Sequence, residues 1–249
     1  MMLVLEKRSS QSQTMIWLSP VIALSITVVI GGFIFAGLGL DPIKALYIYF
    51  VEPVTSLWSI EELIVKATPL ILIGTGLAVC YKANVWNIGA EGQLTIGALF
   101  GSAIPIYFTA WQSPMALILM LFLGTLGGAL FAALPALLKN RFGANEILTS
   151  LMLVYVAQLL LDWVIRGPWK DPKGFNFPQS VSFEGWQLLP LLGEGRVHIG
   201  VIFTLVVTLV LWVMMGRSLR GFEIRVVGSS PRAGAFSGFS QKRVIGAND

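Results

Sequence analysis

The ten residues from Asn84 to Gln93, Asn-Val-Trp-Asn-Ile-Gly-Ala-Glu-Gly-Gln, decide how the whole chain is interpreted. This polar stretch holds two Asn, one Glu, one Gln and two Gly, and apolar sequence flanks it closely at 67–81 and 94–108. Polar groups between two segments that could each cross a bilayer cost free energy unless they are hydrogen-bonded or hydrated. The stretch is therefore either a tight loop at a membrane surface or part of a polar route through the membrane.

The composition indicates a membrane protein. Of the 249 residues, 55% are hydrophobic and only 12% are charged, which is roughly half the charged fraction of a soluble domain. From Gly92 to Leu138 there is no Asp, Glu, Lys or Arg. A bilayer accommodates such sequence at roughly 20 residues per helical span. The sequence therefore predicts an all-α polytopic membrane protein.

The apolar segments predict about six transmembrane helices. The second segment is short, so a broken or re-entrant form of it is the alternative, which would change the count by one. A short interfacial helix is also predicted at 43–51. Gly-x-x-x-Gly pairs at Gly97/Gly101 and Gly124/Gly128 indicate closely packed helices. The predicted spans cover residues 15–40, 63–81, 88–108, 114–138, 147–165 and 197–215.

The distribution of basic residues predicts the orientation. With the N-terminus inside, eleven Lys and Arg residues fall in inner segments and six in outer ones, out of 17 in the chain. Cytoplasmic segments carry the excess of such residues. The N-terminal segment 1–14 and the tail 216–249 are thus predicted to be cytoplasmic, and the polar loop 166–196 external.

Signatures of enzymatic chemistry are missing from the sequence. No Gly-Lys dipeptide occurs, so there is no P-loop for ATP. The single histidine, His198, lies near the start of the last predicted span, where an interfacial position is favoured over catalysis. The single cysteine, Cys80, lies in an apolar run and is interpreted as an apolar filler. The chain is predicted not to be an enzyme, and no cofactor or metal is predicted.

Three interpretations of the polar stretch are open. In the first, it is an inner loop in which Asn87 caps the next helix and Glu91 lies in its first turn. In the second, the helix breaks inside the membrane and offers polar groups to a solute. In the third, it contacts a cytoplasmic partner. A second polar pair opens the fifth span, and contact between the two clusters is a hypothesis. The candidates for a solute route are Asn84, Asn87, Glu91, Gln93, Asn145 and Glu146.

The tail after the last span is basic and predicts two short helices. The first covers 217–227 and ends at Gly228. A hydroxyl cap at Ser230 and Pro231 in the first turn start the second, which covers 232–239. Such a segment either lies on the lipid surface or docks a soluble partner.

Three stretches resemble signature segments of nucleoside-type ABC transporter permeases, a superfamily that also contains ribose and branched-chain amino acid permeases. They are Asn-Ile-Gly-Ala-Glu-Gly-Gln at 87–93, Gly-Ala-Asn-Glu-Ile at 143–147 and Arg-Val-Val-Gly-Ser-Ser-Pro-Arg-Ala-Gly-Ala at 225–235. In the third, Ser230 stands where the family usually has Asn. The resemblance implies one permease domain over 1–249. Family members continue with further spans, so the chain is expected to be truncated at its C-terminal end.

The resemblance implies the membrane subunit of an ABC importer, most simply for a nucleoside, in the bacterial inner membrane. The alternatives are a sugar or branched-chain amino acid as solute, or an ion-coupled secondary transporter. The implied partners are cytoplasmic ATP-binding subunits, a second permease subunit, an extracytoplasmic solute-binding protein and the lipid bilayer, with no nucleic acid. The residues implied to couple to the ATPase are Arg217, Arg220, Glu223, Arg225, Gly228, Ser230, Pro231 and Arg232.

Overall fold

The computed structural model describes residues 12–109, 111–183 and 185–246, with side chains at all of these except 13, 242 and 245. Most of the predicted N-terminal segment 1–14 lies outside the described residues. Within the described ranges every regular element is helical, and the predicted all-α fold is confirmed. The helices are α1 (Gln13–Gly37), α2 (Pro42–Phe50), α3 (Leu57–Lys82), α4 (Ala90–Tyr107), α5 (Pro114–Phe142), α6 (Glu146–Arg166), α7 (Gly200–Arg217), α8 (Leu219–Ser229), α9 (Pro231–Phe236) and α10 (Gln241–Ile245).

Five of the described helices, α1, α3, α5, α6 and α7, are long and apolar enough to cross a membrane. The predicted third span, 88–108, corresponds to α4, which is not among the five. The polar residues Glu91 and Gln93 lie in its first turns. Seven of its 18 residues are buried against other helices. The polytopic fold is thus confirmed, with five spans that qualify by length and composition.

The second predicted span is not broken. α3 runs without interruption for 26 residues and contains Pro69. Its start at Leu57 lies six residues before the predicted start, because the charged turn at 61–66 is part of the same helix. The interruption falls after Lys82, in the loop 83–89 that separates α3 from α4.

The chain divides into two compact units, 1–63 and 64–249, and the boundary lies within α3. In the first unit, Asp41 is the last residue of the short connection between α1 and α2. It caps α2, because its carboxylate accepts a hydrogen bond from the Ile43 amide at 2.9 Å. The rings of Phe35 and Tyr49 hold α1 against α2, with centroids 5.9 Å apart. No described residue of α1 is buried, and Trp17 is 80% exposed, as expected for a helix that faces lipid.

In the second unit, α4 packs between α5 and α6 so closely that its backbone contacts the backbones of both helices. A Cβ atom on Gly97 would lie 2.8 Å from the Gly124 carbonyl oxygen of α5, and one on Gly92 would lie 3.0 Å from the Cα of Val154 on α6. Only glycine permits these approaches. The close packing predicted from the Gly-x-x-x-Gly pairs is therefore confirmed.

Replacing Gly97 with alanine is expected to destabilise the protein by roughly 1–3 kcal/mol, because the opposing Gly124 carbonyl is backbone and cannot turn away. The measurement is the thermal unfolding midpoint in detergent. Gly76→Ala on α3 is the control, since its Cβ would meet nothing within 4 Å. Equal midpoints for both variants would contradict the backbone packing of α4 against α5.

Candidate functional site

The loop 83–89 begins with a sharp turn at Asn84, whose φ of 57° is left-handed. Its side-chain oxygen accepts a hydrogen bond from the Trp86 indole at 3.3 Å. The Trp86 ring in turn packs on Tyr81, with centroids 5.1 Å apart. All three side chains are exposed. Asn84 therefore shapes the exit from α3, and its role in a solute route stays a prediction.

Asn87 and Gln93 form a reciprocal amide pair. The Asn87 Oδ1 atom accepts from Gln93 Nε2 at 3.2 Å, and Asn87 Nδ2 donates to Gln93 Oε1 at 3.2 Å. Asn87 Oδ1 also accepts from the Gly89 amide at 2.9 Å. The expectation that Asn87 caps the helix is wrong in detail, since Gly89 occupies the cap position and α4 has no side-chain cap. The Asn87 amide instead closes the turn before the helix and is bound by Gln93.

Glu91 lies in the first turn of α4, as predicted. Its carboxylate accepts a hydrogen bond from Gln158 Nε2 on α6 at 2.8 Å, and its side chain is exposed. This contact ties the polar stretch to α6. Whether Glu91 touches a solute stays a prediction.

The second polar cluster sits at the turn between α5 and α6. Gly143 ends α5 in the left-handed conformation with φ 67°, which favours glycine. Asn145 then caps α6, because its Oδ1 atom accepts from the Ile147 amide at 2.9 Å. The adjacent Glu146 forms an ion pair with Lys139 near the end of α5, and only 17% and 20% of their side chains are exposed. The prediction that Asn145 and Glu146 lie at the start of this span is confirmed.

The two polar clusters meet, as the contact hypothesis proposed. The Ile88 amide donates to the hydroxyl of Ser150 on α6 at 3.1 Å, and Ser150 is buried. The backbone of Trp86 faces the Glu146 carboxylate. Asn145 is exposed and does not take part in these contacts. The loop 83–89 is therefore fixed against the start of α6.

A cavity of about 340 Å³, here called the inner cavity, lies where these clusters meet. The ends of α3, α5 and α6 form most of its wall, and Ile224 of α8 and Val244 of α10 contribute from the tail. Its polar lining residues are Asn87, Lys139, Glu146 and Ser150.

A second cavity of about 760 Å³, here called the outer cavity, lies between α3, α4, α5, α7 and the segment 183–198. Phe183 and Phe203 supply aromatic surface. None of the described residues in its lining is Asp, Glu, Lys or Arg. Its polar lining residues are Thr68, Gln93, Ser102, Thr125, Gln187, His198 and Thr204.

Most residues of the outer cavity were not predicted from the sequence. Thr68, Thr125 and Thr204 lie within apolar spans on three different helices, and only the fold brings them around one space. Lys139 was also missed as a site residue. The sequence does contain a signal for it, because Lys139 is a basic residue seven positions before Glu146. The end of one helix, a tight turn and the start of the next helix can bring two such residues together. Gln93 is the one predicted route residue in the outer cavity lining.

The tail forms the helices that the sequence predicts, with shifted ends. Ser218 caps α8, and Ser230 caps α9 by accepting from the Ala233 amide at 3.3 Å, with Pro231 as the first residue. Gly228 does not end the first helix, because α8 continues to Ser229. The first helix therefore covers two residues more than predicted at its C-terminal end.

Gly228 of α8 packs against the end of α3. A Cβ atom there would lie 2.0 Å from the Lys82 carbonyl oxygen at the end of α3. Among the other predicted coupling residues, Arg220 forms an ion pair with the largely buried Glu223 at 3.4 Å. The side chains of Arg217, Arg220, Arg225 and Arg232 are exposed. The tail thus offers cations to the surroundings while its backbone rests on the loop that follows α3.

Comparison with known proteins identifies the class. Residues 59–246 match the family described as branched-chain amino acid transport system, permease component, and the chain belongs to this family. It is therefore a multi-pass cell-membrane protein of a transport family, and the resemblance to nucleoside-type permeases is confirmed at that level. No solved structure matches the chain.

Several curated relatives are ABC transporter permeases. The chain is 36% identical over 243 residues to the glucose ABC transporter permease protein TsgB13 of Haloferax volcanii, covering 92% of this chain and 63% of the relative. It is 30% identical over 193 residues to the guanosine ABC transporter permease protein NupP of Bacillus subtilis, covering 76% and 55%. It is 25% identical over 236 residues to the nucleoside ABC transporter permease protein NupB of Lactococcus lactis, covering 92% and 65%. The chain thus spans less than two thirds of each of these relatives.

Proposed function

We propose that the chain is the permease subunit of an ABC importer and forms the membrane route for an uncharged polar solute, most simply a nucleoside. The observation that carries the choice of solute is the lining of the outer cavity, in which the described residues offer hydroxyl, amide and aromatic groups but no Asp, Glu, Lys or Arg. Its volume of about 760 Å³ lies within the range of roughly 300–1,000 Å³ that is typical of small-molecule sites.

The lining favours neutral solutes because buried charges need partners. A zwitterionic amino acid brings a carboxylate and an ammonium group, and each costs several kcal/mol to desolvate without a counter-charge. A nucleoside needs hydrogen bonds and a surface for its base. Thr68, Gln93 and Thr204 supply the former, and Phe203 supplies the latter.

A sugar is the second candidate solute. The relative from Haloferax volcanii is a glucose permease and is 36% identical to this chain. A sugar is uncharged, as a nucleoside is, so the lining of the outer cavity does not distinguish between the two by charge. Aromatic surface beside the hydroxyls, at Phe183 and Phe203, suits the flat face of a base as well as the apolar face of a sugar ring.

The proposed energy source is a partner. Cytoplasmic ATP-binding subunits would dock on α8 and α9, where Arg225 and Arg232 are exposed and Gly228 transmits movement to the end of α3. A second permease subunit and an extracytoplasmic solute-binding protein complete the proposed assembly. The proposed orientation places the N-terminus and the tail in the cytoplasm and the loop 166–196 outside, in agreement with the excess of Lys and Arg in the inner segments.

The proposal predicts ATP-dependent uptake by the complete complex in proteoliposomes. Radiolabelled nucleoside should accumulate with ATP inside and binding protein outside, and accumulation should stop without ATP. Dissipating the proton and sodium gradients should leave the initial rate unchanged. Uptake that needs an ion gradient and proceeds without ATP would overturn the assignment to ABC import.

A further inference from the structure

The two cavities lie end to end along the same helices. α3 contributes residues 65–72 to the outer cavity and Val79 and Cys80 to the inner one, and α5 contributes 117–125 and 132–139 in the same order. At 1.5 Å of rise per residue, the centres of these segments are roughly 20 Å apart along the helix axes. The cavities are therefore stacked as successive spaces rather than side by side.

The Asn87–Gln93 amide pair connects the linings of the two cavities. Gln93 lines the outer cavity and Asn87 lines the inner cavity. Their side chains are joined by the two reciprocal hydrogen bonds of 3.2 Å. One member of the pair thus belongs to each space, and the bonds cross the boundary between them.

The backbone next to the amide pair is closely packed against neighbouring residues, which leaves it little room to move. A Cβ on Gly89 would lie 3.0 Å from Ser150, and one on Gly128 would lie 3.2 Å from the Gln93 carbonyl oxygen. By contrast, the two amide side chains can rotate once their mutual bonds break. Each such bond contributes little net free energy, so the pair can open at low cost.

The geometry points to the Asn87–Gln93 amide pair as the partition between the outer and inner cavities of a single solute route. A solute passes this partition by forming hydrogen bonds with the two amides in place of the bonds that they make with each other. This inference rests on the proposed function, since it takes both cavities as parts of one route. A primary amide offers a donor and an acceptor side by side. The partition therefore suits uncharged solutes with adjacent donors and acceptors, such as the edge of a nucleobase or a vicinal diol.

The single cysteine of the chain makes this testable, because Cys80 lines the inner cavity. The complete transport complex in sealed vesicles is treated from the face of the loop 166–196 only, with an uncharged, strongly hydrophilic thiol reagent of about nucleoside size that does not cross the bilayer. Modification of Cys80 is followed by mass spectrometry of its peptide. In the unchanged protein, labelling from this face should be slow.

Gln93→Ala removes both bonds of the pair and should raise the labelling rate from this face about tenfold or more. Thr125→Ala is the matched control. It also lines the outer cavity, but its hydroxyl donates to the Leu121 carbonyl of its own helix at 2.8 Å. This variant should keep the slow rate. The exchanged pair Asn87→Gln with Gln93→Asn conserves both amides and should restore slow labelling.

Labelling from the face of the tail reports whether each variant is folded and should be equal in all of them. A slow rate from the loop face in Gln93→Ala, with normal labelling from the tail face, would overturn the inference. If Gln93→Ala does not fold, Asn87→Ser breaks the same pair from the other side. Fast labelling of Cys80 from the loop face would then support the inference, and slow labelling would overturn it. The assay needs neither solute nor ATP, so a lack of nucleoside uptake would refute the proposed function without affecting this result.

Discussion

Replacing Gly228 with alanine is expected to lower the initial rate of solute uptake at least about tenfold while the protein remains in the membrane. The added Cβ would lie 2.0 Å from the Lys82 carbonyl oxygen and 3.0 Å from the Ala83 carbonyl carbon. Both atoms are backbone, so the contact can be relieved only by moving α8 away from the end of α3. That movement would separate the proposed ATPase-docking segment from the loop that carries Asn87.

Gly216→Ala is the matched control for this prediction, because a Cβ there meets nothing within 4 Å. It lies near the end of α7, just before the tail. Both variants are measured for uptake and for ATP hydrolysis by the complex. Uptake should fall in Gly228→Ala while the basal ATP hydrolysis persists. Equal uptake in the two variants would show that the contact of Gly228 with α3 has no role in transport.

Breaking the ion pair of Lys139 and Glu146 is expected to be the most destabilising change of charge in the second unit. Glu146→Gln alone should cost about 2–3 kcal/mol, because it leaves the Lys139 ammonium, whose side chain is only 20% exposed, beside the inner cavity without its partner. Lys139→Met alone should cost a similar amount. The double variant should lose less stability than the sum of the two single losses, since no unpaired charge remains.

The double-mutant cycle is measured by chemical or thermal unfolding in detergent. The expected coupling between the two positions is about 1–2 kcal/mol. Arg166 and Asp162 provide a comparison, since their side chains are 62% and 54% exposed and such pairs contribute about 0–1 kcal/mol. Additive losses at Lys139 and Glu146 would mean that the pair does not hold α5 and α6 together.

Local patterns predicted most of the helices and both polar clusters. Long apolar runs identified α1, α5, α6 and α7 within a few residues, because a span has a required length. The polar pair Asn145 and Glu146 identified the start of α6, and capping chemistry identified the start of α9 at Ser230. The same reasoning placed the cap of α4 wrongly, since the Asn87 side chain is held by Gln93 instead of the helix amides.

Tertiary contacts explain what the sequence did not predict. α4 is less apolar than a typical span because it packs against neighbours on two sides through Gly92 and Gly97. The outer cavity depends on hydroxyls from different helices, and nothing in their spacing along the chain relates Thr68 to Thr204. The bond from Gln158 to Glu91 joins residues 67 positions apart. Such contacts arise only when the helices assemble.

Competition for uptake tests the central claim most directly. The complete complex in proteoliposomes is given one radiolabelled nucleoside with an excess of an unlabelled nucleoside, glucose or isoleucine, and direct uptake of each labelled compound is measured in parallel. The described lining of the outer cavity has no Asp, Glu, Lys or Arg. It therefore predicts that nucleosides are taken up and compete, that glucose is the other permitted solute, and that zwitterionic isoleucine neither competes nor enters. Saturable uptake of isoleucine without uptake of nucleosides or glucose would contradict the account.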